Sequence, residues 1–294
     1  MSCERRPRSV AAFFCLVCLL AVLLNLSACA WLDVKQRQII YRPSPSLAAD
    51  ADTLGPGDSR FFLQVPDTPG PQRIELWWLP HPDAAAPAVL YLHGTLRHLQ
   101  GNRHKIEALR EAGFSVLAVD YRGWGQSTPI TPSEQTIMQD AALAWAELQR
   151  RAPEPIQHVI YGHSMGSGVA VSLASQLPSA SYGAVILESA FTSFADVAAT
   201  AGFWASLLAR FNTERFASVD KISQIHAPLL MLHGSQDNTI PIALGEKLFA
   251  AANAPKQWLR IEGGGHSDLN LVAHQRYQAA LVAFRVHNLP AMPR

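Results

Sequence analysis

Five short apolar runs constrain this chain more than any other feature. Ala88–Leu92, Ser115–Val119, Val159–Tyr161, Ala184–Leu187 and Leu229–Leu232 are nearly continuous in hydrophobic residues, and each is too short for a buried helix. Runs of that length belong to strands covered on both faces, as in a parallel sheet. Helical patterning separates them over His104–Ala112, Ser133–Arg150 and Gly166–Gln176. Alternation at this spacing predicts a doubly wound α/β domain with helices on both faces of a mostly parallel sheet, and places ligand sites outside the carboxyl ends of the strands. Upstream, Phe61–Val65 and Arg73–Leu79 flank Pro66-Asp67-Thr68-Pro69-Gly70-Pro71, the pattern of a hairpin with a loose turn. Trp258–Ile261 reads as the last strand.

The reactive-looking residues all follow these strands. After Val159–Tyr161 comes Gly162-His163-Ser164-Met165-Gly166. A serine displayed at a sharp strand-to-helix turn needs neighbours with almost no side chain, which Gly162 and Gly166 supply; on its own the pattern also fits an ordinary surface turn. A serine hydroxyl becomes a nucleophile when a histidine can take its proton, and the histidine needs an acid to fix its tautomer. Asp237 follows Leu229–Leu232 in His233-Gly234-Ser235-Gln236-Asp237, and His266 follows the last strand in Gly263-Gly264-Gly265-His266-Ser267-Asp268. Glu188, at the end of Ala184–Leu187, is the alternative acid, whereas Asp268 suits a helix cap. The loop His93-Gly94-Thr95-Leu96 can aim a backbone N–H at an oxyanion, with Met165 giving the second donor. His93, His163 and His233 read as turn residues, and Asp120 to Ser127 as a rigid scaffold loop.

In combination these motifs resemble the α/β-hydrolase superfamily, and within it the small-cap serine hydrolases of the Bem46-like and α/β-hydrolase-domain type. The resemblance rests on His93-Gly94, Tyr121 to Ser127, Gly162 to Gly166, Glu188 to Ser193, His233 to Asp237 and Gly264-Gly265-His266. It implies a triad of Ser164, Asp237 and His266 in that chain order, and an oxyanion hole from the N–H groups of Thr95 and Met165. The implied chemistry is hydrolysis of carboxylic esters or thioesters through an acyl-enzyme, without metal or organic cofactor. It also implies a short cap within residues 190–227, which carries Phe191, Phe194, Phe203, Trp204, Leu207, Leu208, Phe211 and Phe216. Those aromatics suit packing against the body, or an apolar rim that guides an acyl chain. Two alternatives stay open: a peptidase or amidase of the serine-aminopeptidase type, for which Asp196, Glu214 and Asp220 are the cap's acids, and a catalytically silent membrane-tethered binding protein.

The N-terminus reads as an address. Arg5, Arg6 and Arg8 precede an apolar run from Val10 to Leu24, and Leu26-Ser27-Ala28-Cys29 resembles a bacterial lipobox. Residues 1–28 are expected to form a lipoprotein signal peptide, with Cys29 lipidated on the mature chain; an uncleaved anchor and cleavage without lipid are the alternatives. Ala30 after Cys29 favours the outer over the inner membrane of a bacterial envelope, by resemblance. Residues 29–57, rich in proline and small residues, suggest a tether, and 58–290 the hydrolase domain. All four cysteines lie within the first 29 residues, so the body has no disulfide framework, and a formal charge of +1 gives no case for nucleic acid.

Overall fold

The computed structural model describes residue 13 and residues 31–46, 54–152, 154–202 and 212–289. The signal segment apart from Phe13, Cys29, and Phe203, Trp204, Leu207, Leu208 and Phe211 of the cap lie outside the described residues.

The described chain builds one sheet of eight strands. They are β1 (Ser59–Val65), β2 (Gln72–Leu79), β3 (Ala88–Leu92), β4 (Ser115–Asp120), β5 (His158–His163), β6 (Ala184–Glu188), β7 (Leu229–Gly234) and β8 (Lys256–Ile261). Their spatial order is β1-β2-β4-β3-β5-β6-β7-β8. The β1–β2 hairpin is antiparallel and joins β4 antiparallel; every other pairing is parallel. The expected α/β architecture is present, and the five apolar runs are its five central strands.

Alternate residues of those strands enter different cores. Leu90, Leu92, Ile160, Val185 and Leu187 pack in one cluster, and Val89, Tyr91, Val159, Tyr161 and Ile186 in the other, because successive side chains of a strand point to opposite faces. Helices cover both faces: α1 (residues 31–41), α2 (Arg103–Glu111), α3 (Glu134–Arg151), α4 (Met165–Gln176), α5 (Phe194–Thr200), α6 (Ile242–Ala251), α7 (Leu269–Val272) and α8 (His274–Asn288). Helix α3 starts where its sequence dictates, since Ser133 accepts from the Thr136 N–H while Thr136 Oγ1 accepts from the Ser133 N–H.

Strand order reverses between β4 and β5, both neighbours in turn of β3. The chain leaves β3 for one side and returns on the other, so the loops after β3 and β5 flank a crevice at the carboxyl edge. This is where open α/β sheets bind ligands.

The expectation of a tether over 29–57 does not describe residues 31–46. Helix α1 lies on the body, and Tyr41 at its end is fully buried, edge-on to Trp124. Beyond it, the Gly125 N–H donates to the Ser44 carbonyl at 3.1 Å and the Ser46 N–H to the Gly125 carbonyl at 2.7 Å. Proline and small residues mark an irregular path, but composition cannot register Tyr41 finding a cavity on a domain that follows much later in the chain.

Candidate active site

The turn between β5 and α4 is one residue long, and that residue is Ser164. Its φ of 55° and ψ of −125° are left-handed and strained for a side-chain-bearing residue. The flanking glycines make the turn possible. A Cβ on Gly162 would lie 2.2 Å from the Gly166 carbonyl oxygen, and one on Gly166 would lie 2.0 Å from the Leu92 oxygen. Helix α4 therefore sits against β3 and β5 at a distance that only glycine permits. The Ser164 N–H donates to the carbonyl of Glu188 at 2.9 Å, which ties the turn to the end of β6.

Ser164, His266 and Asp237 come together from β5, β8 and β7. His266 Nε2 lies 2.8 Å from Ser164 Oγ, and His266 Nδ1 lies 2.8 Å from Asp237 Oδ2. Asp237 accepts at its other oxygen from the N–H groups of Thr239 and Ile240, at 2.9 and 2.8 Å. Burial opposes ionisation of this carboxyl, but hydrogen bonds from His233, His266 and the Ile240 N–H outweigh it and hold the pKa well below the usual carboxylate range. An ionised Asp237 can only accept, so His266 Nδ1 carries the proton. Its Nε2 is left as the acceptor facing the serine hydroxyl.

Three further residues position these groups, two of them, His163 and His233, read from the sequence as turn residues. The carbonyl of His266 accepts from His163 Nε2 at 2.9 Å and from Ser189 Oγ at 3.1 Å, which fixes the backbone under the imidazole. Burial, with Lys105 adding to it, holds the His163 pKa well below the ordinary imidazole range, so that ring stays neutral and donates from Nε2. His233 Nε2 lies 2.9 Å from the Ile240 carbonyl and 3.4 Å from Asp237 Oδ2. Their signals were their places at strand ends; their acceptors are backbone atoms, which no side-chain motif announces.

The loop after β3 runs close beside the serine. A Cβ on Gly94 would meet Ser164 Cβ at 2.9 Å. His93 is buried beneath it, with Nδ1 2.6 Å from the Gly94 oxygen and Nε2 3.2 Å from Asp120, the structural role its position suggested. Trp124 Nε1 donates to the Thr95 carbonyl at 2.8 Å and so anchors the peptide between Thr95 and Leu96, just after the Thr95 N–H. Met165 opens α4, and an N–H at the first helical position has no partner within the helix.

Glu188 is separate from this relay. Its carboxylate is buried, ion-paired with Lys105, and bonded to the hydroxyls of Tyr161 and of Tyr277, the latter at 2.8 Å. Burial raises its pKa, but Lys105 and the donors around it prevail and lower it to about 2. Asp268 Oδ1 accepts from the Gly265 N–H at 2.7 Å, holding the glycine turn before His266; it occupies the N-cap position of α7 without a capping bond. Asp220 ends a short 3₁₀ turn, Ser218–Asp220.

Ser164 forms part of the wall of two cavities. The larger, about 500 Å³, is mostly apolar, with Ile39 and Ile40 of α1 facing Phe191, Phe194 and Val197 of the cap. The smaller, about 70 Å³, adds Arg97, Asn102 and His266. Among the described residues no cluster of three His, Cys, Asp or Glu side chains could hold a metal ion.

Known proteins resemble this chain in sequence and in fold. Residues 83–221 match the serine aminopeptidase (S33) family. An uncharacterised protein of Mycobacterium tuberculosis is 35% identical over 240 residues, spanning 81% of this chain and 83% of that one. An esterase of Pyrococcus furiosus superposes with a TM-score of 0.62 over 79% of this chain and 94% of its own, at 18% identity. The chain belongs to the α/β-hydrolase superfamily. The lysophosphatidylserine lipase ABHD12 of Danio rerio is 33% identical to this hydrolase over 200 residues, 61% of the chain but only 51% of that lipase.

Proposed function

We propose that this hydrolase cleaves carboxylic ester or thioester bonds, with Ser164 as nucleophile. Ser164 Oγ attacks the substrate carbonyl as its proton passes to His266 Nε2, and Asp237 stabilises the imidazolium. The N–H groups of Thr95 and Met165 face the oxyanion. Collapse of the tetrahedral intermediate expels the leaving group, which takes the proton from His266 and leaves an acyl-serine. A water then gives a proton to His266 as it attacks, and the acid departs with the serine restored.

The observation that carries this reading is the unbroken Ser164–His266–Asp237 chain of 2.8 Å contacts at the wall of an apolar cavity. The peptidase alternative gains from the name of the matched family, but a free substrate amine wants an acidic partner, and among the described residues no acidic one lines that cavity. Two of the cap's three acids are engaged elsewhere: Asp196 with Thr192, and Glu214 with Tyr41 and the Glu134 N–H.

Lipidation of Cys29 in a bacterial envelope, at the outer membrane, completes the reading; its support is the lipobox-like sequence. A fluorophosphonate probe is expected to label the wild-type chain and not Ser164→Ala, and p-nitrophenyl esters to be hydrolysed only by the wild type. Equal labelling of the two proteins would rule Ser164 out, and wild-type protein that neither labels nor hydrolyses any short ester would favour a silent binding protein.

A further inference from the structure

Helix α1 contributes to the cavity and to the outer surface at once. Ile39 and Ile40 line the cavity beside Ser164, yet Ile39 is 70% exposed and Leu96, across from it in the lining, 56%. A residue that both lines a cavity and faces solvent marks its mouth. From that mouth the apolar surface continues along α1. Trp31 is 63% exposed and Leu32 60%, and at 3.6 residues per turn both fall on the same side as Ile39. The other exposed positions on that side are Lys35 and Gln38, with Arg42 just beyond. The acid of this helix, Asp33, lies off this face and pairs with Arg37.

A tryptophan and aliphatic side chains on one side of a short helix, with Lys35 among them and Arg42 just past its end, match an element that lies in a membrane interface against anionic headgroups. The helix is too short to cross: among the described residues none is long and apolar enough. The preceding sequence says what covers this face. The apolar run ends at Leu24 and Cys29 follows, so at full extension Trp31 stands roughly 25 Å from Leu24 and roughly 7 Å from Cys29. With the run kept in the bilayer, or with acyl chains on Cys29, α1 is held at the lipid surface.

We propose that α1 docks the cavity mouth on the bilayer, and that the cavity receives a long acyl chain directly from the membrane, with Ile39 and Ile40 as its outer wall. The substrate class is then a long-chain acyl ester resident in the bilayer. This rests on the ester-hydrolase reading above for its chemistry, but not for its binding.

The test uses the full chain in phosphatidylethanolamine–phosphatidylglycerol vesicles. Its kcat/KM on monolauroylglycerol carried in those vesicles is divided by its kcat/KM on soluble p-nitrophenyl acetate. Trp31→Ala with Leu32→Ala, and separately Ile39→Asn, should each lower that ratio about tenfold, equivalent to about 1.4 kcal/mol, and Ile39→Leu should restore it. These positions are exposed, and unchanged thermal melts confirm that the variants fold. A ratio that does not move overturns the proposal. If the wild type hydrolyses neither ester, the hydrolase reading fails and a binding arm decides: Ser164→Ala should bind a pyrene-labelled long-chain fatty acid saturably, about tenfold more weakly once Ile39→Asn is added. Binding that is unsaturable, or blind to Ile39, sinks the docking model.

Discussion

At the residue scale, the two carboxylates that competed for one role differ in what surrounds them. Asp237 has four donors around it, one of them the imidazole that reaches Ser164; Glu188 is spent on Lys105 and two tyrosines. Asp237→Asn should therefore cost about 10⁴-fold in kcat, because a neutral amide no longer selects the tautomer that leaves Nε2 free. Glu188→Gln should act on stability instead. The folded carboxyl titrates at about 2, and an unfolded glutamate at about 4.3, so the unfolded chain takes up the proton first as pH falls. The contribution of the ionised group is thus complete above about pH 5 and is lost on descending through about 4 towards 2. At neutral pH the variant should be less stable than wild type by about 3 kcal/mol, and urea melts should show that gap closing in acid. An inactive Glu188→Gln beside an active Asp237→Asn would exchange the two roles. Ser164, Asp237 and His266 were legible because each sits in a glycine-marked turn after an apolar run. Choosing between Asp237 and Glu188 required knowing which way each side chain leaves its strand, and Lys105, the partner that occupies Glu188, lies on a helix with no motif at all.

At the element scale, the strand-end loops brace one another. Trp124 reaches from the loop after β4 to the Thr95 carbonyl, and Ser189, at the end of β6 with φ of 50°, reaches the His266 carbonyl. The strands were legible to within a residue or two, since an apolar run bounded by glycine or proline leaves little choice. The braces were not, because each pairs a side chain with a backbone oxygen many residues away, and any residue type can present such an oxygen. Trp124→Phe keeps most of the buried ring and removes the indole donor. It should lower kcat by about tenfold with little change in KM, as expected when the loop that carries the proposed oxyanion donor shifts without loss of substrate contact. Steady-state kinetics on a short p-nitrophenyl ester check this, and a change confined to KM would mean that Trp124 only shapes the cavity.

At the scale of the whole molecule, residues 31–46 belong to the hydrolase body. Tyr41 is the pin: it is buried against Trp124 and Phe194, and its hydroxyl donates to Glu214, which also accepts from the Glu134 N–H at the start of α3. Burial, reinforced by Glu214, pushes the Tyr41 pKa far above its usual value, so it remains a neutral donor. One side chain thus joins the N-terminal helix, the cap and α3, three segments distant in sequence. Tyr41→Phe fills the same space but leaves the buried Glu214 carboxylate one donor short, which costs about 1–3 kcal/mol. Because α1 forms one wall of the cavity while the relay hangs from the sheet, the loss should fall unevenly. Thermal melts should show Tm lowered by several degrees, at about 2–4 °C per kcal/mol for a domain of this size. Limited proteolysis should find residues 31–46 cut sooner than in wild type, while fluorophosphonate labelling of Ser164 persists. Loss of labelling in a chain that still melts cooperatively would instead mean that α1 holds the relay itself in place.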